Sequence, residues 1–256
     1  GALRPEPPPA NVREQEKTNP GAEPGPGEPV LASMGVDAGD HAHFAVVERR
    51  GLAPHRLVHA AVVDSHGMVA HAARLRQGLG VQAAVVDAKP LRVEARDIAA
   101  QAPGSTWLLD FSASEGPREK EGRHEDLRFK RVVMGREEMI DALVDLLIMS
   151  PPGILLPRAT AGSEETLRLV RLHLRNLKQE AVKTVTGVRQ RYRRDVENHF
   201  GFALAMAVLA GSMTRKAARW VPLRALGRPH AAAAGRPAAE DNFIPMGTLR
   251  WRGLFR

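Results

Sequence analysis

The stretch MGVDAGDHAHFAVVE, residues 34–48, decides the fold. Its first four residues predict a short strand, the glycine and aspartate at 39–40 predict a turn, and the apolar run at 44–48 predicts a second strand. A further stretch, VQAAVVDAKP at residues 81–90, predicts a buried strand that stops before proline. Two predicted strands therefore end on an aspartate, Asp37 and Asp87.

Predicted strands and helices alternate outward from these stretches. The pattern predicts further strands at 57–63, 106–111 and 129–134, an apolar segment at 154–157, a hairpin at 180–192, and helices at 68–79, 91–102, 137–149, 164–175 and 195–210. Asp195 is expected to cap the last helix. Three consecutive antiparallel-looking strands followed by strand–helix units indicate an α/β fold, a mixed sheet with helices on both faces.

Both ends of the chain differ in composition from this middle part. Residues 1–32 are rich in Pro, Gly and Glu, which predicts a disordered linker or terminus. Residues 212–256 mix Ala, Arg, Pro and Gly and predict a flexible basic tail, with nine Lys or Arg against two acidic residues. We therefore predict one folded domain at residues 33–211.

The composition narrows the classes of partner and chemistry. A net charge of +8 and a pI of about 10.5 favour a polyanionic partner. The absence of cysteine excludes disulfides and thiolate zinc sites, and leaves carboxylates and histidines as metal ligands. No apolar run approaches the roughly 20 residues that span a bilayer, and the N-terminus has no signal-peptide pattern, so we expect a soluble protein without a membrane partner.

The two aspartates at strand ends are candidate metal ligands. A carboxylate that follows Val and Ala in a strand is costly if it is buried alone. Two such strand ends side by side bring like charges together, which is tolerable when a cation lies between them. Oxygen ligands suit Mg²⁺ or Mn²⁺ rather than zinc. The alternative is that Asp37 and Asp87 each merely start a turn.

The segment DVENHFGFALAMA, residues 195–207, belongs to the last predicted helix. It resembles the nuclease domain of phage terminase large subunits, where a pattern similar to Asp-His-x-x-x-Ala-Leu-x-x-Ala opens an alanine-rich final helix. The pattern falls here on Asn198, His199, Ala203, Leu204 and Ala207. The runs REEMIDAL at 136–143 and GILLP at 153–157 also resemble the family, as does the His-Leu pair at 173–174 before a basic hairpin. The resemblance covers roughly residues 34–210 and implies an RNase H-like fold.

The chain departs from this pattern at Asn198, which stands where the family has its third metal-binding Asp. An amide offers one oxygen but no charge. Three explanations are open: Glu197 or Asp195 substitutes for the missing carboxylate, the Asn is an engineered inactivation, or the protein is a naturally weakened nuclease. Asp195 would share a helical face with Asn198, one turn earlier. The neighbouring His199 would orient a metal ligand or cap the helix.

The resemblance implies hydrolysis of phosphodiester bonds by two divalent ions, Mg²⁺ or Mn²⁺. Asp37 would bridge the two ions, and Asp87 would hold one of them. The region of Glu197 and Asn198 would hold the other. Lys89 follows closely after Asp87 and could contact the scissile phosphate, with an ordinary surface lysine as the alternative.

Basic residues cluster around the predicted hairpin. They are Lys178, Lys183, Arg189, Arg191, Arg193 and Arg194. Such a cluster favours salt-dependent contact with phosphates, whatever the base sequence. The few aromatic residues argue against a single-strand binder that stacks on bases, so double-stranded DNA is the predicted partner. Histidines also crowd the first third of the chain. A His-x-His pair such as His41 and His43 would place both rings on one face of a strand and could bind a transition metal. We interpret these histidines instead as scattered surface residues.

The family resemblance also implies a biological setting. The chain lacks Gly-x-x-x-x-Gly-Lys-Ser/Thr, so it has no P-loop ATPase of its own. The implied partners are a packaging ATPase, a small terminase subunit and a portal, in the cytoplasm of a bacterial host. We predict an isolated nuclease domain, or a chain that works beside a separate ATPase. The alternatives are a resolvase or transposase core, a non-catalytic module that binds DNA or docks on a capsid, and an α/β enzyme for small molecules.

Overall fold

The computed structural model of this chain describes residues 29–112, 118–120, 129–160, 162–184, 187–193, 195–214 and 243–245. The linker predicted at residues 1–32 lies almost entirely outside the described residues, although the first strand already begins at Val30. Most of the tail predicted at 212–256 also lies outside them. No helix among the described residues is long and apolar enough to cross a membrane.

The described residues form eleven strands and five α-helices. The strands are β1 (Val30–Asp37), β2 (His41–Arg50), β3 (His55–Asp64), β4 (Ala83–Asp87), β5 (Thr106–Ser112), β6 (Arg118–Lys120), β7 (Lys130–Gly135), β8 (Ile154–Pro157), β9 (Gln179–Thr184), β10 (Gly187–Tyr192) and β11 (Phe243–Pro245). The helices are α1 (Met68–Leu79), α2 (Arg92–Gln101), α3 (Arg136–Ile148), α4 (Glu164–Arg175) and α5 (His199–Met213). The predicted helices and strands of the middle part are confirmed within a few residues at each end.

Nine of the strands form one mixed sheet, in the order β11-β8-β3-β2-β1-β4-β5-β7-β6. β1, β2 and β3 pair antiparallel, while β4, β5 and β7 extend the sheet in parallel from the other edge of β1. β9 and β10 form the predicted hairpin as a separate sheet. The predicted antiparallel group and the parallel strands that follow it are therefore confirmed.

Helices cover both faces of the sheet, as predicted, and each face has its own apolar core. α1 and α2 bury residues such as Met68 and Ile98 against one face. α3, α4 and α5 pack against the other face, where residues such as Leu143 and Phe200 are buried. α5 is apolar around most of its circumference because it lies between the sheet and the other two helices.

The close approach of α5 to β1 depends on a glycine. A Cβ atom at Gly35 would overlap the carbonyl oxygen of Ala203 and the backbone nitrogen of Ala207. Ser33, two residues earlier on the same face, donates a buried hydrogen bond from Oγ to the carbonyl oxygen of Ala207 at 2.8 Å. These contacts fix where α5 begins relative to the end of β1.

The last helix begins later than the sequence predicted. α5 starts at His199, and Asn198 is its N-cap residue. The predicted cap, Asp195, lies before the helix and accepts a hydrogen bond from Arg193 Nε at 3.0 Å. Its predicted place on one helical face with Asn198 is therefore wrong, because residues 195–198 are not helical and the first helical residue is His199.

Candidate active site

Asp37 and Asp87 end neighbouring strands of the sheet. β1 and β4 are parallel, and Val36 pairs with Val86, so the two aspartates follow at the same level. Both side chains point to the face that α5 covers and line one cavity of about 520 Å³. The cavity is also lined by Phe111, Arg136, Asp195, Val196, Glu197, Asn198, His199 and Phe202. The structure thus brings the predicted carboxylate pair together with the start of the last helix.

The carboxyl group of Asp87 is strongly influenced by its surroundings. Burial raises its pKa to about 7, and the charges of Asp37 and Asp110 act in the same direction. A hydrogen bond of 3.0 Å from the backbone N–H of Lys89 to Asp87 Oδ1 opposes this shift in part. Asp110, which the sequence analysis did not single out, forms an ion pair of 3.1 Å with Arg131.

Asp37 is buried and bonded to the first residue of α5. His199 Nδ1 lies 2.8 Å from Asp37 Oδ2 and donates to it in the tautomer that pairs the two groups. This hydrogen bond is the main reason why the pKa of His199 is raised. Of the two roles predicted for His199, contact with a candidate metal ligand therefore matches its geometry.

The three candidates for the missing carboxylate position all line the cavity, but each is engaged elsewhere. Asn198 is buried, and its Nδ2 donates to the carbonyl oxygen of Arg193 at 3.2 Å. Glu197 is largely exposed, with Oε2 3.6 Å from His173 Nε2. Asp195 is paired with Arg193. Their predicted roles as metal ligands stay predictions.

A group of histidines lies beside Asp37, and this grouping was not predicted from the sequence. His43 is 8% exposed and stacks on His199, with ring centroids 4.7 Å apart. His173 is buried behind them, and its Nδ1 accepts a hydrogen bond from the backbone N–H of Phe200 at 3.2 Å. The interpretation of His43 as a surface residue is wrong, because β2 turns it toward α5. The available signal was its place opposite Asp37 in a hairpin.

One cationic side chain in the cavity was also missed. Arg136, the first residue of α3, lines the cavity with its guanidinium 4.5 Å from the ring centroid of Phe202. Stacking of this kind restricts the orientation of an arginine. Lys89, which was predicted to contact a phosphate, is not among the described residues that line the cavity.

The predicted hairpin is anchored to α3 through one carboxylate. The hydroxyl of Tyr192 donates to Asp141 Oδ1 at 2.7 Å, and Gln179 Nε2 donates to the same atom at 2.9 Å. Tyr192 is buried, and burial raises the pKa of its phenol. The hairpin therefore has a fixed base on the same helix that carries Arg136.

Part of the positive charge predicted on the hairpin is neutralised. The predicted DNA contacts whose side chains are described are Lys178, Lys183, Arg191 and Arg193. Arg191 Nε donates to Glu180 Oε1 at 3.0 Å, and Arg193 is paired with Asp195. Arg194 and the side chain of Arg189 lie outside the described residues. Lys183 is exposed near the end of β9 and remains the clearest candidate for a phosphate contact.

The residues of this cavity fit a divalent cation. Burial beside other carboxylates opposes ionisation of Asp87, and a bound cation would reverse this effect. Asp37 and Asp87 supply the oxygen ligands that Mg²⁺ and Mn²⁺ prefer. His43 and His199 supply imidazole nitrogens close to Asp37, with one ligand atom of each residue within 4.8 Å of the others.

The strand order and the two helical layers define an α/β fold, a mixed sheet with helices on both faces, in agreement with the prediction from sequence. Among similar solved structures is the large terminase nuclease from the thermophilic phage G20c, at 16% sequence identity and a TM-score of 0.44. That match covers 70% of this chain and 82% of the terminase chain.

Two structures of Thermus thermophilus RuvC are also similar. The complex with a Holliday junction substrate has 15% identity and a TM-score of 0.35, and the second structure has 17% identity and a TM-score of 0.32. Each match covers 72% of this chain and 93% of the RuvC chain. No family model and no curated protein matches the sequence.

Proposed function

We propose that this chain is a metal-dependent endonuclease that cuts double-stranded DNA, as the nuclease part of a terminase large subunit during viral genome packaging. The observation that carries the proposal is the pair Asp37 and Asp87, two carboxylates at neighbouring strand ends in one cavity. Such a pair is unfavourable without a cation and is suited to holding divalent ions.

Different residues of the cavity are proposed to have different roles in cleavage. Two Mg²⁺ or Mn²⁺ ions, when bound, supply a hydroxide nucleophile and stabilise the leaving 3′ oxygen. Asp37 and Asp87 would hold these ions through their carboxylate oxygens. Before metal binds, the hydrogen bond from His199 orients the Asp37 carboxylate.

Arg136 is proposed to bind a substrate phosphate. It lines the same cavity as the carboxylates, and its contact with Phe202 fixes its planar donor group. Arginine suits this role because its N–H groups match two phosphate oxygens at once. The replacement Arg136→Ala should therefore raise the KM for DNA while leaving metal binding in place.

The hairpin formed by β9 and β10 is proposed to contact the DNA backbone. Its base is held on α3 by Tyr192, and Lys183 is exposed on β9. Lysine contacts to phosphates give affinity for duplex DNA without base specificity. A packaging ATPase, a small terminase subunit and a portal are proposed as partners on the family resemblance.

The proposal is tested by cleavage of a supercoiled plasmid with Mn²⁺ or Mg²⁺. We expect the unmodified chain to nick and linearise the plasmid, and Asp37→Ala to lose roughly 100-fold or more of this activity. Asp97→Ala, which removes an exposed carboxylate from α2, is the control. Absence of cleavage by every form, including Asn198→Asp, would refute the nuclease proposal.

A catalytically weakened DNA-binding module is the second candidate. It is favoured by Asn198, the N-cap residue of α5, whose uncharged amide donates to the carbonyl oxygen of Arg193. Such a module would bind duplex DNA equally well with EDTA and would not nick it. A large gain of activity in Asn198→Asp would show that a missing carboxylate limits the natural chain.

A further inference from the structure

Three side chains from three elements bring possible metal ligands together beside the carboxylate pair. Asp37 ends β1, His43 lies opposite it on β2, and His199 begins α5. One ligand atom of each lies within 4.8 Å of the others. We propose that Asp37, His43 and His199 form a site for one divalent transition-metal ion. This inference rests on the proposed nuclease site and deepens it.

His43 is the residue that makes this site different from a pair of carboxylates. More than nine-tenths of its surface is buried, and its Nδ1 has no hydrogen-bond partner within the part of the chain that the structure describes. Buried ring nitrogens are normally paired with a donor or an acceptor. An imidazole held next to a carboxylate in this way is suited to bind a metal ion.

The histidines also occupy the place where a third ligand is needed. Asn198 has no charge, and Glu197 and Asp195 lie near other partners, His173 and Arg193. By contrast, His199 is already bonded to Asp37 Oδ2. The second oxygen of Asp37 remains available for an ion shared with Asp87. One carboxylate would thus join a histidine-rich position to a carboxylate-rich position.

The ligand types determine the class of metal. Two imidazole nitrogens and one carboxylate oxygen suit ions such as Zn²⁺, Co²⁺ and Mn²⁺. Mg²⁺ prefers oxygen ligands and retains its waters, so it should compete poorly at this position. The position on the side of Asp87 has no nearby histidine in the described cavity lining except His199, and it keeps its preference for Mg²⁺ or Mn²⁺.

The present ring geometry requires one movement. The rings of His43 and His199 are tilted by only 17° from parallel, and an ion cannot lie in the planes of two stacked rings. His199 is half exposed, whereas His43 is fixed in the core, so His199 is the ring that turns. Binding should therefore break the stacking and replace the hydrogen bond between His199 and Asp37.

The test is titration of the full chain with Co²⁺, followed by visible absorption and by NMR of the histidine side chains. His43→Gln and His199→Gln are the test variants. His59→Gln is the matched control, because His59 belongs to another partly buried histidine pair, with His71 at 3.3 Å between the Nε2 atoms. Circular dichroism checks the fold, and His199→Gln decides the test if the buried replacement at His43 unfolds the protein.

The proposal predicts that each test variant binds Co²⁺ at least about tenfold more weakly, since loss of even an outer partner of a metal ligand has an effect of that size. The control should bind as the unmodified chain does, and excess Mg²⁺ should not displace Co²⁺. Unchanged Co²⁺ affinity in folded His199→Gln would overturn the proposal. If the variants lose Co²⁺ but no form cuts DNA, the site stands and the nuclease proposal fails. If the unmodified chain cuts the plasmid but the variants bind Co²⁺ as tightly as it does, the nuclease proposal stands and the histidine site fails.

Discussion

At the scale of single residues, the fold has its clearest effect on the pKa of the Asp87 carboxyl group. β4 places this group in the cavity that Asp37 also lines, and burial together with the charges of Asp37 and Asp110 raises its pKa to about 7. The group therefore retains its proton at pH values where an unfolded chain has released it. Above neutral pH the metal-free protein carries an unfavourable buried charge.

This raised pKa predicts how stability depends on pH without metal. In EDTA, the free energy of unfolding should fall as pH rises from about 4 to about 7, because the folded state binds the proton more tightly than the unfolded state. Asp87→Asn removes the ionisation and keeps an oxygen that can accept from Lys89. The free energy of unfolding of this variant should exceed that of the unmodified protein by on the order of 2 kcal/mol at pH 8, and the two should differ little at pH 4.

Chemical denaturation at the two pH values, in EDTA, measures this difference. Asp97→Asn, which changes an exposed carboxylate, serves as the control and should behave as the unmodified protein at both. Added Mn²⁺ should stabilise the unmodified protein at pH 8 more than it stabilises Asp87→Asn. A variant that is less stable than the unmodified protein at pH 8 would contradict the account of Asp87.

The sequence could predict Asp37 and Asp87 but not the residues around them. A carboxylate that ends a buried-type strand is visible in the sequence, and parallel strand ends meet at one edge of a sheet. Arg136 carries no such local signal, because its role depends on the start of α3 reaching the cavity. The one signal for His43 is its place opposite Asp37 in a hairpin. His173 accepts a hydrogen bond from the backbone N–H of Phe200, and no local pattern predicts this contact between residues distant in the sequence.

At the scale of secondary-structure elements, α5 positions the site, and its contact with β1 allows no side chain at Gly35. Gly35→Ala would place a methyl group against the backbone of α5 at Ala203. Backbone atoms in a packed helix cannot move aside easily, so we expect a loss of about 3 kcal/mol in unfolding free energy. The displaced α5 should also weaken metal binding, because His199 and Asn198 move with it.

Gly78→Ala is the matched control for this replacement. Gly78 lies in α1, and an added Cβ would meet no atom within 4 Å. Alanine at an open helical position should leave stability unchanged or raise it by up to about 1 kcal/mol. Equal thermal unfolding curves for the two variants would show that the contact between α5 and β1 is not as close as described.

The presence of each helix or strand was easier to predict than the residues at which it begins and ends. Apolar periodicity identified α1 and the hairpin of β9 and β10, since both depend on neighbours in the sequence. The predicted start of α5 was wrong because Asp195 and Asn198 are both favoured cap residues, and no local pattern shows which of them the helix follows. The short strand β11 pairs with β8 from far along the chain, and no local pattern indicates such pairing.

At the scale of the whole molecule, the positive charge should determine how the protein binds DNA. The affinity for duplex DNA should fall with salt concentration, because Lys and Arg displace cations from phosphates. Lys183→Ala should reduce the slope of log K against log salt by about 1, the value expected for one phosphate contact. Arg191→Ala should reduce it less, since Glu180 already neutralises that side chain.

Fluorescence anisotropy with a labelled duplex, in EDTA to prevent cleavage, measures these slopes. Both variants should leave the free energy of unfolding nearly unchanged, because Lys183 is exposed and the ion pair of Arg191 with Glu180 is partly exposed. A slope that neither variant changes would place the DNA on another surface and would refute the proposed role of the hairpin.

Asp37 and Asp87 are proposed to hold divalent ions between two strand ends and the start of α5. Anomalous diffraction at the manganese edge, from crystals of the chain soaked in Mn²⁺, tests this most directly. The account predicts anomalous density within coordination distance of both carboxylates, with His199 turned toward one ion, and no such density in Asp37→Ala crystals. Manganese bound elsewhere, with this cavity empty at saturating Mn²⁺, would contradict the account.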